Sequence, residues 1–476
     1  MSRKVFFKVI VSLTLICAAN HSWAQNNTDF WSVADNGDTL YYTIIADGEV
    51  SVSCTDDLYA VDYDPSLLTG NIVIPSTVTN NSTSYTVTTI APFGFHGTGY
   101  TSIVIPNTVH TLEISSFSEC LSLTSIDIPS SVLNIGNYAF QNCPALASVT
   151  FNGYVNIIGD EIFGGDIALT SVSLPDSCGL VGNIPFVNCI SLTQPVYNHT
   201  HFMFIPQDFS GEYTIPDGIL YICGRVFEDH QGLTGIHFPS SVTAIFWKAF
   251  ANCNGLTSVV LPPNLGAVSD ASFMNCTNLQ SVTITSNIGM IGVSAFSGCT
   301  SLTTVNLPES NYSYTIKNGA FWGCSSLRSI VIPSSVDAFG NNVFEGATSL
   351  TRIVVKRSTP ASVYAGTFHI SELDDNTFTT IDTLVVPCGA VQAYRDAEYW
   401  NEIATIEEDC NGVNDVNADA INILYTNGHI VVEGAEGESV RVFDIMGRPV
   451  SDRMLPTGVY MVKVGDRAAR KIVVLQ

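Results

Sequence analysis

The sequence predicts a mainly β protein built around a solenoid of about 14 stacked coils, or rungs, with a small β domain at each end. Two observations predict this architecture: a motif that recurs about every 23 residues through the middle of the chain, and the absence of this motif on either side of it. One coil cannot bury its apolar side alone, whereas stacked coils share a continuous core. The repeat therefore predicts one long stack.

The composition limits the classes of partner. The chain has 476 residues, of which 46% are apolar and 13% are charged, and its formal net charge is −25. This apolar fraction excludes wholesale disorder, which requires low hydrophobicity and a high density of charge. The deficit of Lys and Arg argues against nucleic acid as the main partner and against docking on anionic lipid, because both need clustered cations.

Residues 1–24 are predicted to be a secretory signal peptide. Three basic residues among the first eight precede an apolar stretch over 9–19 and the small-x-small site Ser22-Trp23-Ala24. No segment reaches the 18 apolar residues of a membrane span. A lipoprotein acylated on Cys17 is the less favoured alternative, because the bulky Ile16 precedes it. We therefore expect an exported protein in a compartment that permits disulfides.

Residues 25–69 lack the repeat and are predicted to form an N-terminal β cap. Two alternating segments, Tyr41–Ile45 and Val50–Cys54, flank Asp47-Gly48, a strong signal for a hairpin turn. A hairpin at this place would seal the open end of the first coil.

Residues 70–387 carry the repeat, whose pattern is Ala-Phe-x-x-Cys-x-x-Leu-Thr-Ser-Ile-x-Ile-Pro-x-x-Val-x-x-Ile. The Ile126-x-Ile128 spacing puts both side chains on one face of a strand, and Phe140 is expected to fill the centre of its coil. The Phe186–Phe227 interval is 41 residues rather than 23 and is interpreted as a distorted double repeat. We count Gln194–Val196 and Tyr213–Pro216 as its two strands.

The chain after the last repeat is predicted to form three parts. Residues 388–410 cap the solenoid with a helix over Val391–Trp400, residues 411–419 are a polar linker, and residues 420–476 form three hairpins of a small Ig-like β-sandwich. Residues 439–476 carry seven Lys and Arg against three Asp and Glu, whereas residues 25–438 carry eight against 40. This change of charge marks a separate C-terminal module.

The repeat resembles the BspA-like, or Treponema-type, leucine-rich repeat of surface and secreted proteins of Bacteroidetes and some parasites. The resemblance covers residues 70–387 and implies a right-handed leucine-rich-repeat solenoid with a parallel sheet along one face. Characterised members are described as adhesins and as matrix- or host-binding proteins. The resemblance therefore implies a non-enzymatic protein, on the outer-membrane surface or outside the cell, that binds a host or matrix protein or glycan.

The C-terminal module carries a second resemblance. The segments Val442–Arg448 and Leu455–Tyr460 resemble the type A sorting domain of type IX secretion. This resemblance implies that residues 420–476 engage the type IX secretion machinery, direct passage through the outer membrane and are then usually removed.

Seven cysteines occupy one repeat position and are predicted to be buried thiols, with cross-rung disulfides as the alternative. Each is alone on its coil, without a Cys-x-x-Cys motif or a nearby His, which argues against a metal site. The coil of Phe163 has Asp166 in this column instead. Cys388 and Cys410 flank the terminal helix and are predicted to form a disulfide that clamps the cap. The column comprises Cys120, Cys143, Cys189, Cys253, Cys276, Cys299 and Cys324.

Two segments match metal-binding motifs only in part. His199 and His201 could share one strand face, but no third ligand lies at a useful spacing, so an exposed loop pair is favoured. Asp415-x-Asn417-x-Asp419 begins like a calcium loop, but Ala420 and Thr426 replace the required Gly and Glu, which favours a linker. No catalytic motif occurs, so we predict no catalytic residue, metal or cofactor.

The candidate ligand-binding site consists of two columns on the outward side of the strands. One column lies between the two inward aliphatic residues of each strand, and the other lies two residues earlier. Short, nearly uncharged side chains suit many weak contacts with a protein or glycan; alternatively, Ser, Thr and Val are simply what a strand accepts. The candidates are Ser125, Asp127, Ser148, Thr150, Ser171, Ser173, His237, Ser258, Ser281, Thr283, Thr304 and Asn306. The first column also includes Val104, Val196, Val260, Val331 and Val354.

Two other functions stay open. One is a structural surface spacer without a dedicated ligand, and the other is a cryptic hydrolase. If the protein binds a ligand, that binding should be saturable and should be lost when the outward columns are altered. A spacer should bind no ligand saturably. A hydrolase requires a pocket with convergent acids.

Overall fold

The computed structural model describes residues 28–55, 64–285, 287–364, 366–372 and 378–409, and the C-terminal segments 422–426, 429–433, 440–444, 448–450, 458–464 and 470–474. The predicted signal peptide over residues 1–24, the predicted linker over residues 411–419 and Cys410 lie outside these residues. The fold is mainly β, as predicted, and contains about 13 coils of a β-solenoid. It divides into two compact units, 1–255 with 269–273 and 256–268 with 274–476.

The elements of the first unit are a 3-10 helix and short strands. The 3-10 helix covers Pro65–Leu67. The strands are β1 (Phe30–Val33), β2 (Thr39–Ala46), β3 (Glu49–Ser53), β4 (Thr69–Val73), β5 (Thr77–Asn80), β6 (Thr83–Ile90), β7 (Gly99–Val104), β8 (Thr111–Leu112), β9 (Ser125–Ile128), β10 (Asn134–Ile135), β11 (Ser148–Phe151), β12 (Val155–Ile158), β13 (Ser171–Ser173), β14 (Cys178–Val181), β15 (Val196–Tyr197), β16 (His201–Phe204), β17 (Gly211–Thr214), β18 (Tyr221–Ile222), β19 (Leu233–His237) and β20 (Ala244–Ile245).

The coils of the first unit contribute strands to two parallel ladders. The main ladder contains the Ile-x-Ile strands, which pair as β4-β7, β9-β11-β13 and β17-β19. The second ladder is formed by β6-β8-β10-β12-β14 and by β16-β18-β20. The register of β9 and β11 places Ser125 opposite Ser148, one repeat apart. The repeat period is therefore one full coil.

The N-terminal strands continue the second ladder. β2 and β3 form the hairpin predicted around Asp47-Gly48, with Gly48 at a φ of +73°. β1 pairs antiparallel with β2, and β3 pairs parallel with β6. The strand order β1-β2-β3-β6-β8 therefore joins the hairpin to the first coils.

The phenylalanine of each regular coil lies at its centre, as predicted. Phe117 and Phe140 are fully buried, and their rings stack with centroids 5.2 Å apart and an interplanar angle of 5°. Around them the backbone alternates in handedness, with Tyr138 at a φ of +61° and Asn142 at +59°. This alternation points the N–H groups of Tyr138, Phe140 and Asn142 at carbonyls of the next coil, 2.8–2.9 Å away. These hydrogen bonds satisfy backbone that is neither helix nor strand.

The Phe186–Phe227 interval differs from the prediction in one of its two strands. Val196 pairs antiparallel with Phe204 of β16, so Gln194–Val196 is not a rung of the main ladder. The Tyr213–Pro216 rung is present, because β17 pairs parallel with β19. Phe202 supplies the missing central ring and stacks on Phe227 at 5.4 Å and 5°. The irregular interval therefore keeps its core filled with Phe202, a phenylalanine that the 23-residue spacing does not predict.

The elements of the second unit are strands, one α-helix and a 3-10 helix. Helix α1 covers Val391–Arg395, and the 3-10 helix covers Trp400–Glu402. The strands are β21 (Ser258–Val260), β22 (Ser281–Thr283), β23 (Met290–Ile291), β24 (Thr304–Asn306), β25 (Tyr314–Ile316), β26 (Ser329–Ile332), β27 (Val336–Phe339), β28 (Arg352–Val355), β29 (His369–Glu372), β30 (Phe378–Thr380), β31 (Thr383–Pro387), β32 (Thr405–Asp409), β33 (Asn422–Thr426), β34 (His429–Glu433), β35 (Val440–Asp444), β36 (Pro449–Val450), β37 (Gly458–Val464) and β38 (Arg470–Val474).

The second unit repeats the two-ladder arrangement. Its main ladder is β21-β22-β24 and β26-β28-β31-β32, and its second ladder is β23-β25-β27. The predicted helix over Val391–Trp400 is shorter in the structure: it ends at Arg395, and left-handed backbone at Tyr399, with a φ of +66°, precedes the 3-10 helix. Tyr394 and Trp400 are nevertheless both buried, and the Trp400 indole N–H donates to the Ala361 carbonyl at 2.9 Å.

The C-terminal strands pair as the three predicted hairpins. β33 pairs with β34, β35 with β36, and β37 with β38, all antiparallel. β35 also pairs with β37, which gives a four-stranded sheet in the order β36-β35-β37-β38. Across the described part of the chain, no helix has the length and apolar character needed to span a membrane.

Candidate functional site

Six candidate residues form a block on three consecutive strands of the first unit. β9, β11 and β13 pair in register, so the two outward columns align across all three strands. Neighbouring strands lie about 4.8 Å apart, which makes the block a grid about 10 Å wide. Ile126, between two of the candidates, is buried on the opposite side. The first block comprises Ser125, Asp127, Ser148, Thr150, Ser171 and Ser173.

A second block of five candidates lies on β21, β22 and β24 of the second unit. The register aligns Ser258 with Ser281 and Thr304, and Thr283 with Asn306. The Asn306 amide donates to the Thr283 hydroxyl at 3.2 Å, so these outward side chains contact one another along their column. This hydrogen bond joins β22 to β24 through their outward side chains.

His237 stands apart from both blocks. It lies on β19, and among the described strand pairings none joins β13 to β17 or β19. Its Nε2 lies 3.1 Å from Oε2 of Glu212 on β17, and both side chains are exposed. The sequence did not single out Glu212, because it lies in the irregular interval where the repeat gives no alignment.

Two outward-column residues depart from the prediction. Val196 belongs to β15 and not to the main ladder. Val354 is only 3% exposed, and its register partner Val385 is also buried. Alternation of exposed and buried residues requires one open face, and at this register position both faces of the ladder are covered.

A third outward column was not singled out by the sequence. It consists of the residue that follows the inward leucine, which is threonine in most repeats and Ala147, Gln280 or Arg328 in three of them. The Thr124 hydroxyl donates to the Thr101 carbonyl at 3.3 Å, and the Thr303 hydroxyl donates to the Gln280 carbonyl at 3.1 Å. The Leu-Thr-Ser segment of the motif is the signal for this column. Its hydroxyl protons are used within the ladder, which favours a structural role for these threonines.

The ladder cysteines are the buried thiols that were predicted. All seven are buried and unbridged. The Cys120 thiol donates to the Phe95 carbonyl at 3.2 Å, and the Cys253 thiol donates to the Phe227 carbonyl at 2.8 Å, in each case one coil earlier. Burial raises the pKa of Cys324 to about 12. Burial also raises the pKa of Cys143, Cys189 and Cys299. These four thiols are therefore weak nucleophiles at neutral pH, since the thiolate is the reactive form.

Asp166 occupies the cysteine position of its coil and is fully buried. Its Oδ1 accepts the backbone N–H of Cys143 at 2.7 Å, and its Oδ2 has no hydrogen-bond partner within the described chain. Burial raises the pKa of Asp166 to about 9. The carboxyl is therefore neutral at pH 7.

His201 is buried, so the prediction of an exposed histidine pair is wrong for this residue and holds only for His199. Its Nδ1 lies 3.5 Å from the Cys178 sulfur, which also accepts the Asn198 amide at 3.3 Å. Burial lowers the pKa of His201 to about 4 and raises that of Cys178 to about 11. The pair is therefore neutral at pH 7 and lacks the thiolate of a nucleophilic site.

The remaining predictions concern metal binding and the disulfide of the C-terminal cap. No three His, Cys, Asp or Glu side chains within the described ranges are grouped so that they could hold a metal ion. Cys388 is disulfide-bonded. Its predicted partner Cys410 lies outside the described residues, so the pairing itself stays a prediction. The Asp415–Asp419 segment lies outside them as well.

The coils, their two ladders and their central phenylalanines define a leucine-rich-repeat solenoid protein. A family model described as the BspA type leucine rich repeat region, in six copies, matches residues 75–193, 201–314 and 310–410. These matches cover more than half of the chain. The protein belongs to the BspA type leucine-rich-repeat family. A second model, a domain of unknown function (DUF6383), matches residues 411–474.

Several solved structures are similar to this chain. A leucine-rich repeat protein from Bacteroides ovatus is 22% identical, with a TM-score of 0.41, over 80% of this chain and 100% of that one. The pneumococcal vaccine antigen PcpA is 16% identical, with a TM-score of 0.43, over 80% and 99%. A leucine rich cell surface protein from Faecalibacterium prausnitzii is 19% identical, with a TM-score of 0.32, over 81% and 96%. None of the curated proteins matches this chain.

Proposed function

We propose that this protein is a non-enzymatic, exported adhesin-like protein that binds a host or matrix protein or glycan through the outward columns of its main ladder. The observation that carries the proposal is the pair of blocks on β9-β11-β13 and β21-β22-β24. In each block, short polar side chains stand in register on consecutive strands. Membership of the BspA type family supports the surface location.

The geometry of the blocks suits a ligand with many weak contacts. Ser, Thr and Asn each offer a donor and an acceptor, and their short side chains lose little conformational entropy on binding. The strands beneath them are held by ladder hydrogen bonds and by buried residues such as Ile126. A rigid surface of this kind binds at a lower ordering cost than a loop.

A binding screen with matched variants tests the proposal. The full mature chain is applied to glycan arrays and to arrays of matrix proteins. A first-block variant carries Asp127→Ala, Thr150→Ala and Ser173→Ala, and its control carries Thr348→Ala and Ser358→Ala, two exposed hydroxyls outside the blocks. We expect saturable binding that the control retains and the block variant loses. Binding that is identical in both variants contradicts the proposal.

A structural spacer is the second candidate function, and the threonine column favours it. The hydroxyl protons of Thr124 and Thr303 bond to carbonyls of the preceding coil rather than facing a ligand. A spacer predicts that no ligand on either array binds saturably. The same screen therefore separates the two functions.

The proposed export to the cell surface depends on both ends of the chain. We propose that residues 1–24 are a signal peptide, that β1–β3 cap the first coil, and that residues 420–476 are a type IX sorting domain. Pairing of β3 with β6 supports the cap, and the three C-terminal hairpins support a separately folded β module. Deletion of residues 420–476 tests the sorting function.

A further inference from the structure

An exposed aliphatic stripe crosses four consecutive coils of the first unit, at the residue after the cysteine position. Leu121, Ile167 and Ile190 are 55%, 48% and 74% exposed, and the half-buried Pro144 stands between the first two. Each residue lies one repeat of 23 from the next. At about 4.8 Å per coil, the stripe is about 14 Å long. We call these four residues the aliphatic stripe.

Hydrogen bonds beside the stripe hold its coils in register. The Gly165 N–H donates to the Val187 carbonyl at 2.8 Å, two residues before the stripe. The Ser191 hydroxyl donates to the Ile167 carbonyl at 2.6 Å, directly after it. The aliphatic side chains are therefore presented from a fixed backbone.

The same column is polar in the later coils. There the Thr300 hydroxyl donates to the Thr277 carbonyl at 3.2 Å, and the Ser325 hydroxyl donates to the Thr300 carbonyl at 3.4 Å. A hydroxyl at this position therefore bonds to the preceding coil, and Leu or Ile cannot form that hydrogen bond. The requirements of the coil do not explain the stripe. The polar members of the column are Gln231, Asn254, Thr277, Thr300, Ser325 and Thr348.

The charge around the stripe is of one sign. Residues 25–224 contain nineteen Asp and Glu and no Lys or Arg. Glu119, two residues before Leu121, and Asp127 of the same coil are both exposed. Such a field attracts cationic partners and repels anionic ones over about 10 Å. It therefore disfavours an anionic lipid surface, a nucleic acid and a second copy of this unit.

We propose that the aliphatic stripe is a docking surface for a basic polypeptide whose aliphatic side chains cover Leu121, Ile167 and Ile190. Lys or Arg side chains of that polypeptide face the surrounding carboxylates. Aliphatic side chains gain by covering aliphatic surface, because both are removed from water. The stripe lies outside the two outward columns, so this proposal goes beyond the ladder surface and can be tested separately from it.

Binding of synthetic peptides to the full mature chain tests the proposal. The probe is a fluorescent peptide of alternating Lys and Leu, and the comparison peptides alternate Lys with Ser and Glu with Leu. Fluorescence anisotropy should show saturable binding of the Lys-Leu peptide, at least about tenfold tighter than either comparison peptide. Binding should weaken in high salt, because salt screens exposed charges. Ile167→Thr with Ile190→Thr should weaken it at least about tenfold.

Matched variants separate the stripe from other effects. Thr is accepted at this position in later coils, so the double variant should keep the unfolding midpoint of the parent chain. Gln231→Ala changes a polar member of the same column and should leave peptide binding unchanged. Thr150→Ala and Ser173→Ala together test the ladder surface without removing a carboxylate and should leave binding of the peptide unchanged. Equal binding of the Lys-Leu and Lys-Ser peptides, equal binding of the Glu-Leu peptide, or full binding by the double variant overturns the proposal.

Discussion

Oδ1 of Asp166 accepts a hydrogen bond from the backbone N–H of Cys143 at 2.7 Å, across two neighbouring coils. Asp166 stands where the adjacent coils have cysteine, and Oδ2 is buried without a hydrogen-bond partner in the described chain. An ionised carboxylate at this place would be a buried and unpaired charge. The folded protein therefore holds this carboxyl in its protonated form.

The first prediction is that acid stabilises the protein through Asp166. The ordinary pKa of the carboxyl is 3.8, and burial raises the pKa of Asp166 to about 9 in the folded state. Between these values the folded chain binds one proton more than the unfolded chain. The contribution of Asp166 to the free energy of unfolding should therefore fall as the pH rises from about 4 to about 9, with a limiting slope of ~1.4 kcal/mol per pH unit. Denaturant unfolding across this range measures it.

Asp166→Asn is the decisive variant, because the amide cannot ionise. It should flatten the pH dependence of the free energy of unfolding and should unfold at a higher denaturant concentration than the parent chain at pH 8. Asp208→Asn is the matched control, since Asp208 is exposed on the same unit. A parent chain and an Asp166→Asn variant with the same pH dependence would show that Asp166 ionises normally.

The second prediction concerns the stacked phenylalanines. Phe273 is fully buried and stacks on Phe250 with centroids 5.1 Å apart and an interplanar angle of 3°. Phe273→Ala should lower the free energy of unfolding by about 3–5 kcal/mol, because it leaves a cavity inside a stack of dependent coils. Trp322→Ala is the control, since Trp322 is exposed and should cost little. A loss below about 1 kcal/mol for Phe273→Ala would contradict its place in the core.

The third prediction concerns the C-terminal cap. Cys388 is disulfide-bonded, and we predict that Cys410 is its partner. The bridge should contribute about 3 kcal/mol to the free energy of unfolding in the chain-entropy model. Peptide mapping under non-reducing conditions should recover the two cysteines in one linked fragment. Recovery of Cys410 as a free thiol would refute this pairing.

The period predicted the regular coils well, because each coil repeats the same local requirements. The inward Ile126 and Ile128, the central Phe140 and the buried ladder cysteines all follow from spacing alone. Gly136 shows a requirement that spacing does not reveal. A Cβ on this residue would lie 2.6 Å from the Ile114 nitrogen of the preceding coil. The glycine permits a close approach between coils.

The irregular interval could not be predicted, because an interval of 41 residues has no fixed alignment to two coils of 23. Phe202 takes the central position, Val196 leaves the main ladder, and His201 is buried. For the same reason, the sequence did not identify Glu212 as the partner of His237 in the candidate site. Burial of Val354 depends on what covers the ladder, and strand alternation carries no information about that.

The fourth prediction concerns the C-terminal module. If residues 420–476 are a sorting domain, their deletion should leave a chain that crosses the inner membrane and accumulates in the periplasm. The remaining solenoid should keep its unfolding midpoint, because the module has its own paired strands. Cell fractionation and denaturant unfolding of the truncated chain measure the two effects. Normal delivery of the truncated chain to the surface or medium would mean that these strands are an ordinary terminal domain.

The most direct test of the proposed function is the dissociation constant of the full mature chain for the ligand that the arrays identify. It is measured for the parent chain, for the first-block variant Asp127→Ala, Thr150→Ala, Ser173→Ala, and for a second-block variant, Ser281→Ala, Thr283→Ala, Asn306→Ala. The ladder surface predicts that at least one block variant binds about tenfold more weakly, with an unchanged unfolding midpoint. Dissociation constants that are the same for all three chains would contradict it.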